Sequence, residues 1–172
     1  MLSSFTAITG ERSMKTENGI IKALVMDIDG TLTDGSIFIS DCGECMKRFY
    51  VRDGLAIKHI LPEYGIVPII ITGRKSEIVS TRCRELDIDL VFQGCNNKKA
   101  ELDRILSSLG ISYEETAYIG DDINDYECME LCGITGCPKD AVPKIKEIAD
   151  FISSFDGGQG AVREFIEHLA AN

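Results

Sequence analysis

The chain has 172 residues, 44% of them hydrophobic and 27% charged, with a formal net charge of −10. That is enough for one domain with a real core; it holds no apolar run near the ~20 residues of a membrane span, and acidity without a basic block excludes a sequence-independent hold on nucleic acid. The seven cysteines, an odd number without a secreted-framework spacing, fit reduced thiols in a cytoplasmic protein.

Residues 1 to 20 show neither periodicity nor a strong strand run and are expected to form a loose tail, leaving 21–172 as a single domain. Ala23-Leu24-Val25-Met26 reads as a buried strand. Asp27-Ile28-Asp29-Gly30-Thr31 follows directly, so two carboxylates two positions apart leave the strand end together. Ser36 to Ser40 and Cys45 to Tyr50 flank Asp41-Cys42-Gly43-Glu44, a polar turn, and predict a β-hairpin flap over about 36–50.

Asp53 has the character of an N-cap for a helix carrying Leu55, Ile57, Ile60 and Leu61 and ending near Pro62 and Gly65. Ile66 to Ile71 gives the second core strand, closed by Thr72-Gly73-Arg74. Ile78, Val79, Cys83 and Leu86 share a helical face, and Leu90-Val91-Phe92 is a third strand. Leu102, Ile105, Leu106 and Leu109 mark a helix closed by Gly110, and Thr116 to Ile119 is a fourth strand that runs into Gly120-Asp121-Asp122-Ile123-Asn124-Asp125. A helix through Met129 and Leu131, a strand around 133–135, a short helix from Ala141 and an edge strand near 149–152 follow. The chain closes with Gly157-Gly158-Gln159-Gly160 and a helix striped by Val162, Phe165, Ile166 and Leu169. Alternating strands and helices predict a three-layered, Rossmann-like α/β fold with a mostly parallel sheet.

Polar clusters sit at successive strand ends or just beyond: Asp27 with Asp29, Thr72, Lys98, and Asp121 with Asp125. Parallel strands bring such ends to one rim. Three carboxylates gathered there would repel unless a cation joined them, and hard oxygen donors with room for water and phosphate favour Mg²⁺. An aspartate facing a phosphate so held can attack phosphorus. Thr72 is placed to hydrogen-bond a phosphoryl oxygen, Lys98 to supply a point charge, and Asp29 to act as acid and base. Spacing after Gln93-Gly94 favours Lys98 over its neighbour Lys99.

Asp27-Ile-Asp-Gly-Thr, Ile71-Thr72-Gly73-Arg74, Lys98 and Gly120-Asp-Asp-Ile-Asn-Asp125 resemble, in order, the four motifs of the haloacid dehalogenase superfamily of phosphatases. The short hairpin in place of a large cap resembles its capless subclass. The resemblance implies Asp27 as nucleophile, Asp29 as general acid and base, and Mg²⁺ held by the Asp27 carboxylate, the Asp29 carbonyl and Asp121. It also implies Asp125 as a partner of the metal site and Thr72, Gly73 and Lys98 around the phosphate. Arg52-Asp53-Gly54 and the glycine-rich ending extend the similarity to members that act on sugar-acid phosphates as homotetramers, an eight-carbon or a nine-carbon keto acid being the expected substrate. Arg52, Arg74 and Arg163 are the candidate carboxylate contacts, Arg163 toward a neighbouring subunit.

Plainer readings stand beside these. Gly157 to Gly160 is either a flexible turn or a set of exposed amides for an anion, the second being favoured by the resemblance. Cys42 and Cys45 have the spacing of half a zinc site, but nothing in the sequence completes it; Cys128, Cys132 and Cys137 read as small buried side chains. His59 and His168 are expected to be structural or on the surface. A phosphoryl-accepting receiver domain also combines aspartates, a threonine and a lysine, in a different strand order. A non-catalytic assembly domain would have no need of Asp29 and Lys98.

Overall fold

Ala23–Met26 and Thr116–Ile119 are buried at every position, as is Val67–Thr72 over its last four. Strands apolar on both faces belong in the middle of a parallel sheet covered by helices, and the computed structural model, which describes residues 13–16 and 19–171, places them there. In chain order the strands are β1 (Lys15–Thr16), β2 (Gly19–Ile20), β3 (Ala23–Met26), β4 (Phe38–Ser40), β5 (Gly43–Met46), β6 (Val67–Thr72), β7 (Leu90–Gln93), β8 (Thr116–Ile119), β9 (Ile134–Cys137) and β10 (Phe151–Ile152). The helices are α1 (Val51–Leu55), α2 (Leu61–Glu63), α3 (Glu77–Glu85), α4 (Lys98–Leu109), α5 (Tyr126–Met129), α6 (Pro143–Lys146) and α7 (Ala161–Ala171). A wider helical turn, Ala56–Ile60, joins α1 to α2 without a break.

Six strands form the main sheet in the order β10-β9-β8-β3-β6-β7, every pair parallel. The chain moves outward from β3 to β6 and β7, then returns to the other side of β3 for β8, β9 and β10. The direction of winding therefore reverses at β3, which opens a crevice at its C-terminal end. Register sharpens the point: Met26 pairs with both Ile70 and Ile119, so Asp27, Thr72 and Asp121 leave three adjacent strands at nearly the same height.

Alternate residues of β3 serve the two faces. Leu24 and Met26 join a core with Val79, Cys83, Val162, Phe165, Ile166 and Leu169 from α3 and α7. Ala23 and Val25 join a second core with Leu102, Ile105 and Leu106 of α4 and with Cys128 and Ile145. Gly110 ends α4 in the left-handed region at φ 66°, as its position predicts. Among the described residues no helix is long and apolar enough to cross a membrane.

Several sequence expectations shift. Met14 is buried in the core under α7's face of the sheet, its carbonyl accepts the Ile21 amide, and β1 pairs with β2. The packed part of the chain thus begins before residue 21, and the expected tail over residues 1–12 lies outside the described residues. The flap is tighter than expected: Gly43 and Glu44 belong to β5, leaving Asp41 and Cys42 as the turn. Asp53 does not cap its own helix, whose N-cap is Tyr50; it reaches across to α7.

Candidate active site

The loop after β3 is shaped by one glycine. Gly30 has φ 96°, and a Cβ on it would stand 2.0 Å from Asp121 Oδ2. Only a residue without a side chain lets the Asp27–Thr31 loop lie against the Asp121 carboxylate. Thr31 completes the join by donating its hydroxyl to Asp121 Oδ1 at 2.9 Å.

Behind the crevice, Asp125 is fully engaged. Its Oδ1 accepts from Lys98 Nζ and from the Tyr118 hydroxyl, each at 2.7 Å, while Oδ2 accepts the Asp121 and Asp122 amides at 3.2 and 3.4 Å. Lys98, buried at the start of α4, also lies 2.9 Å from Asp27 Oδ1. That contact is an ion pair between two buried side chains. Lys99 faces outward to Asp103 at 2.9 Å, so the spacing argument picked the inward lysine.

Burial, then the charge of Asp125, pushes the Asp27 carboxyl up to about 6 against the pull of Lys98. Burial and then Asp27 push Asp121 up to about 8. Burial alone would lower the Lys98 ammonium; Asp125 and Asp27 outweigh it, so its pKa is raised and it stays charged. Asp27, Asp121 and Asp125 each bring one oxygen within 4.8 Å of the others. With Asp125 occupied by four donors, Asp27 and Asp121 are the carboxylates left to share a cation, and a hard dication such as Mg²⁺ fits that donor set.

Asp29 faces the flap. Lys47, just past β5, forms an ion pair with Asp29 Oδ1 and reaches Glu44 Oε1 at 3.0 Å, its side chain wholly buried. Arg74 Nε lies 3.7 Å from Asp29 Oδ2, and its Nη2 lies 3.5 Å from Glu44. The crevice therefore gathers Asp27, Asp29, Thr72, Arg74, Lys98, Asp121 and Asp125. Arg52 and Arg163 are not in it: with Tyr50, Leu55, Phe155 and Gln159 they line a cavity of about 530 Å³ whose walls include none of the motif carboxylates.

A model of haloacid dehalogenase-like hydrolases matches residues 76–166 of the chain. The 3-deoxy-D-manno-octulosonate 8-phosphate phosphatase of Escherichia coli strain B / BL21-DE3 is 38% identical over 169 residues, 98% of this chain and 88% of that protein. The chain belongs to the haloacid dehalogenase-like hydrolases. Among solved members of that family, the 3-deoxy-D-manno-octulosonate 8-phosphate phosphatase of Moraxella catarrhalis, crystallised with magnesium, phosphate and KDO, superposes with a TM-score of 0.83 at 39% identity, covering 87% of this chain and 85% of that one. The cobalt-bound phosphatase of Haemophilus influenzae superposes with a TM-score of 0.83 at 38% identity over 87% and 86% of the two chains. The chain is accordingly a phosphatase of this hydrolase family, with Mg²⁺ as its expected cofactor.

One favoured expectation fails. Three of the four amides of residues 157–160 are spent inside the chain: Gly157 on Asp140 at 2.9 Å, Gly158 on the Thr31 carbonyl at 3.0 Å, and Gln159 on the Asp156 carbonyl at 3.1 Å. The Gly158 amide braces the loop after β3, and Gly157 packs against that loop so closely that a Cβ on it would come within 1.9 Å of the Gly30 carbonyl.

Sequence reasoning also missed Lys47, Thr31 and Tyr118. The one available signal for Lys47 was a cation following Met46 on a short flap, where an alternating strand would send one of the two inward. Cys42 and Cys45 are exposed on the flap, whereas Cys128 and Cys137 are buried and Cys132 is half-buried. His168 stacks on Phe151 with ring centroids 4.5 Å apart.

Proposed function

We propose that the chain hydrolyses 3-deoxy-D-manno-octulosonate 8-phosphate through an aspartyl phosphate on Asp27. The carrying observation is the Asp27 oxygen: buried and 2.9 Å from the Lys98 ammonium where β3 ends. A carboxylate kept unsolvated beside a cation is a nucleophile with little to shed before it reacts. An Asp27 oxygen bonds to phosphorus as the ester P–O bond breaks, and Asp29 gives its proton to the departing sugar oxygen. Asp29 then takes a proton from water as that water attacks phosphorus, the aspartyl P–O bond breaks and Asp27 is regenerated.

Thr72 and the backbone at Gly73 are assigned to the phosphoryl oxygens, and Lys98 to the charge that builds on them. Mg²⁺, held by Asp27, the Asp29 carbonyl and Asp121, would neutralise phosphate charge and orient it. Asp125 keeps Lys98 aimed inward. Arg74, beside Asp29, is the substrate-carboxylate contact within the crevice; Arg52 and Arg163 are assigned that role across a subunit boundary. A homotetramer is supported by Ile37, Phe38, Ile39 and Met46, apolar side chains exposed together on the flap. A reducing cytoplasm is supported by seven free cysteines.

The test is phosphate release with Mg²⁺ from the eight-carbon ester and from a nine-carbon keto-acid 9-phosphate. A larger kcat/KM for the eight-carbon ester is expected, with activity abolished by Asp27→Asn or by chelation. Preference for the nine-carbon ester would overturn the substrate assignment. Undiminished turnover by Asp27→Asn would overturn the mechanism.

A further inference from the structure

The flap is inverted relative to an ordinary surface hairpin. Ile37, Phe38, Ile39 and Met46 are exposed, while the one fully buried side chain is the cation of Lys47. Burying an ammonium costs several kcal/mol unless it is well paired, so an inward lysine on so small an element calls for a polar task inside.

Its partners define that task. Lys47 pairs with Asp29 Oδ1 and with Glu44 Oε1; Glu44 Oε2 accepts from the Ser76 hydroxyl, and Oε1 also faces Arg74, whose Nε faces Asp29 Oδ2. Asp29, Lys47, Glu44 and Arg74 thus form a closed ring of alternating charge. It ties the flap to the loop after β3 and to the segment after β6. Each oxygen of Asp29 has its own cation, and Glu44 Oε1 ties the two cations together, which restricts the rotation of the carboxylate about its own axis.

We propose that Lys47 is a positioning residue for Asp29, through which seating of the flap sets both proton-transfer steps. The inference rests on the reading of Asp29 as acid and base. A lifted flap withdraws the ammonium and frees the carboxylate to turn. A seated flap holds Asp29 Oδ1 on the ammonium and leaves Oδ2, 3.7 Å from Arg74 Nε, as the oxygen that carries the proton.

Lys47→Met, Lys47→Arg and Asp29→Asn separate the possibilities when assayed on 3-deoxy-D-manno-octulosonate 8-phosphate and on p-nitrophenyl phosphate. A sugar alkoxide needs a proton to leave, and p-nitrophenolate does not. Lys47→Met is expected to lower kcat on the sugar ester about 10- to 100-fold with KM changed less than about threefold. On p-nitrophenyl phosphate it should leave the first-turnover burst near the wild-type rate while slowing the steady state, because water must still be deprotonated. Lys47→Arg should recover much of the loss.

A rise in KM alone, or equal slowing of the burst and the sugar ester, overturns the positioning role. If Asp29→Asn is slow and Lys47→Met is not, the Lys47 assignment alone falls; if Asp29→Asn is itself unimpaired, the acid/base reading falls and the proposal with it. Should Lys47→Met fail to fold, Glu44→Gln removes one charge of the ring from the half-exposed side, and the same split between burst and steady state is expected at smaller size. Its absence there also overturns the proposal.

Discussion

A Cβ on Gly30 would stand 2.0 Å from Asp121 Oδ2. Two residues ninety-one positions apart are thus in contact across the crevice, and the contact exists because one of them has no side chain. Gly30→Ala would force the loop away from Asp121 at a φ of 96° that alanine resists. Mg²⁺-dependent phosphate release should fall by about 100-fold or more, and Mg²⁺ should no longer raise the melting temperature. Ordinary Mg²⁺ stabilisation in this variant would show that the approach is not needed.

The raised carboxyls give the metal-free protein a definite pH dependence. Asp27 and Asp121 have folded pKa values of about 6 and about 8 against 3.8 for the free side chain. The folded chain therefore binds protons more tightly than the unfolded one. Their stabilising contribution is full below 3.8 and is lost as pH rises through 6 and then 8. A dication competes with those protons, so the Mg²⁺-induced gain in Tm should grow from pH 5 to pH 8. Melts at several pH values with and without Mg²⁺ check this; a gain that shrinks with pH contradicts it.

Tyr118 is wholly buried and donates to Asp125 Oδ1 at 2.7 Å. Tyr118→Phe deletes one hydrogen bond to a charged acceptor and should destabilise the fold by about 2 kcal/mol in urea titrations. Because Asp125 also aims Lys98, kcat should drop several-fold with little change in KM. A change in KM alone would mean that Tyr118 does not act through Lys98.

Asp53 accepts the Arg163 amide at 2.8 Å, holding the first turn of α7 from another helix. Asp53→Ala should cost about 1–2 kcal/mol, as loss of a cap does. Burial pushes the Asp53 carboxyl up to about 6, so the desolvation cost of its charge is absent below 3.8 and fully present above 6. The loss on mutation should therefore be larger near pH 5 than at pH 8 in paired denaturation curves.

Sequence alone located the strand-end clusters because each was written locally: an apolar run, then polar residues, repeated with short spacers. Asp27, Thr72, Lys98, Asp121 and Asp125 could be placed at one rim by that logic, since parallel strands align their ends. Lys47 and Thr31 escaped it because their roles depend on which way a flap folds over and on a partner ninety positions away; Tyr118, seven positions before Asp125, escaped it because it reads as one more residue of a buried strand. The Asp53 carboxylate was assigned to its own helix because a cap is a local pattern, whereas its actual amide lies 110 positions later. The amides of Gly157, Gly158 and Gln159 read as available in the sequence because it does not show their acceptors, Asp140, Thr31 and Asp156.

Gly158 donates to the Thr31 carbonyl at 3.0 Å, and Gly157 packs on Gly30. The loop after β3 is therefore buttressed by a segment more than a hundred positions further along the sequence. A chain cut between Asp125 and Gly157 would keep every motif residue and lose the brace beneath them, leaving Asp27 on an unsupported turn.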